Sequence, residues 1–174
     1  MPLSSEQFHA LYPPLIGWIR QTLADHADDA RPVASLGFRR LPQYYRVETL
    51  ASAKAIVVDR VPTPPLSKLG ATGFEKFEHM DAGGITYLDS FFVDRRCAGD
   101  ESLHFHELIH VIQWTVLNPE RFLMAYADGL QRFGYRDSPL EVMAYDAQAR
   151  FEHDPVPFDA EQHVRTLLKR QQLL

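Results

Sequence analysis

The chain has 174 residues, 45% of them hydrophobic and 24% charged, which suits one ordinary globular domain with a real core and leaves too little for a second full domain. A formal net charge of −5 without any lysine or arginine tract argues against nucleic acid as a partner, and the single cysteine, Cys97, excludes both an intrachain disulfide framework and a cysteine-rich zinc site. No apolar run of about twenty residues is present to span a bilayer. The opening Met1-Pro2-Leu3-Ser4-Ser5-Glu6 lacks the basic and apolar regions of a secretion signal, so the expected address is the cytoplasm, with no membrane partner.

Ser4 to Gln7 open a helix that Pro13-Pro14 should interrupt, after which Leu15, Ile16, Trp18, Ile19 and Leu23 keep helical spacing up to Asp25. Residues 1–43 therefore read as a helical scaffold. Its histidines, His9 and His26, read as surface or half-buried groups rather than ligands. Asp28-Asp29, Pro32, Gly37 and Pro42 mark turns, and Arg39-Arg40 reads as a solvated pair.

Residues 44–100 read as a sheet with a long loop. Tyr44 to Val47 suits a strand or the end of a helix, while the β-branched run Ala55 to Val58 suits a buried strand. Val61-Pro62-Thr63-Pro64-Pro65 opens a surface loop over 61–82 with one helical turn near Phe74 to Phe77, serving either as a lid or as a connector. Gly83-Gly84 then introduces Ile85 to Val93, the best strand in the sequence.

Residues 101–174 read as helices. Asp100 is the expected N-cap of a helix running to Leu117 and broken by Asn118-Pro119. A second helix, Pro119 to Phe133, ends at Gly134; a third begins at Ser138-Pro139-Leu140-Glu141 and runs to about Phe151, ahead of Pro155 and Pro157. The last, Phe158 to about Gln172, is expected to pack on the outside.

Within the first of these helices, His106, Glu107 and His110 spell H-E-x-x-H. Four residues apart on a helix, the two histidines share a face and can reach one metal ion. Glu107, beside the first histidine, is free to take a proton from metal-bound water without being a ligand itself. Phe105, Leu108, Ile109, Val111 and Ile112 surround the helix with apolar groups, so it should be buried on most sides, and its polar groups then need partners. His104 points elsewhere and reads as structural. Gln113 and Trp114 either line the cleft or pack, and Tyr126, Tyr135, Tyr145 and His153 are all chemically able to donate to a developing oxyanion.

The segment HELIHVIQW resembles the active-site helix of zincin metallopeptidases, especially small bacterial zincin-like proteins with HELxHVxQ at this place. The resemblance covers this helix, the strand before it and a glutamate region after it. It implies an α+β fold, mostly helical, with a small sheet, an active-site helix and a following glutamate helix. The strand before the helix would then be the sheet edge on which an extended peptide is laid, although an interior strand fits its sequence almost as well. In gluzincins the third ligand is a glutamate on a later helix, and S-P-L-E-V-M-A-Y resembles that motif, which points to Glu141. Where related stretches often carry a second acidic residue two positions on, this chain has Met143. Ser138-x-x-Glu141 is equally a capping box, His153 and His163 are the other downstream candidates, and Asp146 could orient a ligand histidine. The implied activity is that of a zinc metallopeptidase holding one zinc per chain through His106, His110 and Glu141, with Glu107 as base and a peptide or protein as substrate. The same ligand set suits iron, nickel or cobalt, and the competing expectation is a metal-binding interaction domain without turnover.

Overall fold

A computed structural model describes residues 4–173; Met1 to Leu3, part of the stretch examined for a leader, lie outside it. The architecture is α+β and mostly helical. Seven α-helices occur among the described residues: α1 (Ser5–Asp25), α2 (Val47–Ser52), α3 (Glu75–Glu78), α4 (Glu101–Leu117), α5 (Pro119–Phe133), α6 (Pro139–His153) and α7 (Ala160–Arg170). Four strands, β1 (Arg31–Pro32), β2 (Lys54–Val58), β3 (Gly84–Tyr87) and β4 (Ser90–Asp94), form one mixed sheet in the order β1-β2-β4-β3. β2 and β4 are parallel; β1 and β3 pair antiparallel at the two edges.

The run Ile85 to Val93 is not one strand but a hairpin. Leu88 and Asp89 make a two-residue turn, with Leu88 at a φ of 59° and Tyr87 opposite Ser90. Neither residue is the Asn-Gly or Asp-Gly pair that usually announces such a turn, which is why the β-branched and aromatic texture runs through it. The fold thereby gains both strand types at once: β4 is interior with all five residues buried, and β3 is an edge.

Alternation along the hairpin assigns its faces. Tyr87 and Phe92 meet Trp18 and His26 of α1 and its end, while Thr86 and Phe91 face α4, where they meet Glu107 and His104. The sheet is thus held between α1 and α4. Asp100 caps α4 by accepting from the amides of Ser102 and Leu103 at 3.0 and 3.3 Å. Asn118 stops it at a φ of 65° and caps α5 by accepting from Arg121 N.

Pro13 and Pro14 do not interrupt α1, which runs through them. Prolines at these positions free the carbonyls of His9 and Ala10 one turn back, and both of those residues, like the prolines, are solvent-exposed, so water satisfies what the helix loses. Tyr44 to Arg46 is neither strand nor helix end but the connection between a 3₁₀ turn, Leu41–Gln43, and α2, which Val47 opens. Arg40 is not simply solvated: its guanidinium lies 3.8 Å over the Phe151 ring and donates to Phe151 O. The 61–82 segment is a loop with one short helix, α3, tied down where Ser67 donates to the Glu78 carboxylate and the Tyr87 hydroxyl donates to Pro62 O.

The last helix is not peripheral. Ala160, Val164 and Leu168 are completely buried, and α7 packs on α4 itself. No described helix is long and apolar enough to cross a membrane. Leu168→Ala should cost about 2–5 kcal/mol in urea unfolding, the range for a cavity in a closed core, whereas Val156→Ala at an exposed position should change stability by no more than about 0.5 kcal/mol. Equal, small effects would mean that α7 is a surface appendage.

Candidate metal centre

α4 is buried on most sides and contacts α5, α6, α7 and β3, so the polar groups on its buried faces are taken out of water. His106, Glu107, His110 and Gln113 are each 5% exposed or less. The four-residue spacing puts the two imidazoles on one face with Nε2 of His106 and Nε2 of His110 3.1 Å apart. α6 brings the third group: Glu141 places Oε2 3.4 Å from His106 Nε2 and Oε1 3.4 Å from His110 Nε2. His106, His110 and Glu141 form a buried group whose ligand atoms all lie within 4.8 Å of one another and that could hold a metal ion.

Two glutamines decide where the imidazole protons are. His106 Nδ1 lies 3.0 Å from Gln148 Oε1 and His110 Nδ1 lies 2.8 Å from Gln113 Oε1. The amides are oriented by their other ends, because Gln113 Nε2 donates to Leu140 O and Gln148 Nε2 donates to Ser102 Oγ, each at 3.0 Å. Both oxygens accept, so both Nδ1 atoms donate, and a neutral imidazole then presents a bare lone pair at Nε2. Two lone pairs and a carboxylate face one another, and Glu141 Oε2 has no hydrogen-bond donor. That is a donor set for a cation: without positive charge at its centre the arrangement is repulsive. The electrostatics of the buried groups agree. Burial works against a charged His110, but the Glu141 carboxylate outweighs it and lifts that imidazole to about 9. Burial likewise opposes a charged Glu141, yet the two histidines hold it well below the usual carboxylate range.

Glu107 stands beside this group without joining it. Its Oε2 accepts from the Thr86 hydroxyl at 2.7 Å, and its other oxygen rests against the backbone of β3 where a Cβ on Gly84 would come to 2.5 Å. Burial raises its pKa, partly offset by the neighbouring histidines and Thr86. A carboxylate that is desolvated, oriented and not needed for ligation is equipped to take up and return a proton.

The remaining residues sort themselves by geometry. The capping-box role of Glu141 is excluded, since Ser138 Oγ makes no capping hydrogen bond and the Glu141 carboxylate is turned inward. Tyr126 donates to Glu141 Oε1 at 2.6 Å, and burial beside that carboxylate keeps its phenol protonated. Tyr145 lays its ring 4.6 Å from that of His106 and hydrogen-bonds Tyr135. His153 is exposed at the end of α6 beside Glu152, and Asp146 is exposed and touches neither histidine. The orienting role expected of Asp146 belongs to Gln148 instead. Counting from Glu141, Tyr145 and Gln148 fall at i+4 and i+7 on the same face, while position i+5 lies about 140° around the helix. Gln113, three residues after His110, was legible by the same spacing. His104 Nε2 donates to Ala98 O and the ring packs between Phe38 and Phe91, a structural placement. Trp114 donates to Thr86 O at 3.2 Å and stacks on Phe122.

The chain matches no family model, no curated protein and no solved structure. The glutamines offer a specific test. Gln113→Leu removes the acceptor that holds the His110 proton at Nδ1, and divalent-metal affinity measured by competition with a chelator should fall about 10–100-fold. Unchanged affinity would mean that Gln113 does not orient a ligand.

Proposed function

We propose that this chain is a zinc-dependent hydrolase of amide bonds, of the metallopeptidase type, built on a zincin-like arrangement of edge strand, H-E-x-x-H helix and glutamate helix. The observation that carries this reading is Glu107. A site that held a metal for stability alone would need His106, His110 and Glu141 but would have no use for a second carboxylate, buried, oriented by Thr86 and seated against Gly84. The preference for zinc rests on the two imidazoles and one carboxylate of the donor set.

His106, His110 and Glu141 would hold the metal. When bound, zinc supplies Lewis acidity, polarising a carbonyl and making water acidic near neutral pH. The Glu107 carboxylate takes the proton from the attacking water and passes it to the leaving nitrogen as the carbon–nitrogen bond breaks. Thr86 keeps Oε2 of Glu107 in place, and the absent side chain at Gly84 leaves the room that carboxylate occupies. β3, as an edge, offers backbone groups beside the site for an extended substrate.

Glu107→Gln should keep the full metal content, because ligation does not use Glu107, and its amide oxygen can still accept from Thr86. Turnover of a peptide library should fall about 10²–10⁴-fold. Equal kcat/KM in wild type and variant would remove Glu107 from the chemistry. A zinc-loaded wild type that cleaves no amide bond would favour the alternative of a metal-binding interaction domain.

A further inference from the structure

Beside the metal centre runs an apolar slot that a peptidase cleft for one side chain does not require. One wall is the buried face of α1, where Phe8, Leu11, Leu15 and Ile19 succeed one another. Eleven steps of 1.5 Å from Phe8 to Ile19 make that wall about 16 Å long. The opposite wall is α5, with Phe122, Leu123 and Ala127, and the 61–82 loop roofs it with Leu66, Phe74 and Phe77. Glu107, His110 and Glu141 open on the same space.

Its dimensions select among occupants. Only about 70 Å³ of the slot is wide enough for the centre of a water molecule. That is under half the roughly 150 Å³ of a cavity that admits a benzene ring. The slot is therefore long, narrow and mostly apolar. A single amino-acid side chain is too short to run along three turns of α1, and so narrow a space favours an unbranched chain over a ring. With C–C bonds near 1.5 Å, an extended chain of on the order of ten carbons matches its length. Further polar groups, Asp81, Tyr145 and Gln148, line a second opening that shares Met80, Gly84, Glu107 and Tyr135 with the slot.

We propose that the slot takes an unbranched acyl chain, so that the substrate is an N-acylated peptide or amine whose polar part lies in the second opening. The bond broken rests on the hydrolase reading above; the chain bound does not. Water oxygen bonds to the acyl carbon, the carbon–nitrogen bond breaks, and the water proton reaches the nitrogen through Glu107, leaving a fatty acid and a free amine.

The test titrates the zinc-loaded full chain with saturated carboxylates of four to fourteen carbons, followed by tryptophan fluorescence, since Trp114 lines the slot. Kd should fall roughly fourfold per added methylene and level off near ten to twelve carbons. Ala127→Phe, which narrows the slot without touching a ligand, should bring that plateau to shorter chains while metal content stays equal. The wild-type plateau carries the test even if the variant fails to fold. A Kd that is flat beyond four to six carbons, or a rise that Ala127→Phe leaves unaltered, would overturn the proposal. Cleavage of N-decanoyl and N-acetyl forms of one tripeptide separates the two readings. Chain-dependent binding without cleavage of either keeps the slot and removes the hydrolase. Equal cleavage of both, with flat binding, does the reverse.

Discussion

Two imidazole nitrogens 3.1 Å apart, both stripped of their protons by hydrogen bonds on the far side of the ring, cannot be left facing a buried carboxylate without a cation between them. That electrostatic constraint organises the molecule. Each of the three acceptors has lost its water, and a buried, unpaired charge costs several kcal/mol, so the fold retains them together only if something positive completes them. The Glu141 carboxylate favours a proton on His110, lifting that imidazole to about 9 against the opposing effect of burial. A divalent ion would displace that proton and satisfy Glu141 Oε2 as well.

The surrounding elements are arranged to bring these groups to one point and to keep them there. α4 is capped at its N-terminus by Asp100, ends at Asn118, whose side chain caps α5, and is packed on by α5, α6, α7 and the edge of the sheet. α6 delivers Glu141 and Gln148 from the same face, and α4 supplies Gln113 to its own histidine. β3 approaches from the other side, with Thr86 holding Glu107 and Gly84 making room for it. The glycine is required there by the close approach of a carboxylate rather than by backbone conformation. Its position in the sequence, as the second of two glycines before a strand, suggests only a turn.

How much of this could be read from the sequence depended on whether the signal was local. The limits of α4 were legible because Asp100 and Asn118-Pro119 are local stop and start signals, and the His106, Glu107, His110 spacing is a property of one helix. Glu141 was reached through resemblance to gluzincins, and its burial could not be told from a capping box, since both readings use the same Ser-Pro-x-Glu. Only the tertiary contact with the histidines, which turns the carboxylate inward, separates them. The proline pair in α1 misled because its cost depends on whether the freed carbonyls face water, and the hairpin at Leu88-Asp89 because its turn lacks glycine. α7 looked peripheral because a single polar face is visible in sequence, while the depth to which Val164 and Leu168 sink is decided by α4.

The most direct test of the central claim is a crystal of the protein grown with zinc and without chelator, with diffraction recorded on both sides of the zinc absorption edge. The account predicts one strong anomalous peak per chain, in contact with Nε2 of His106, Nε2 of His110 and the Glu141 carboxylate, with Glu107 outside bonding distance and still held by Thr86. No peak among these residues in crystals soaked to saturation, or a peak at which Glu141 is replaced by another ligand, would contradict it.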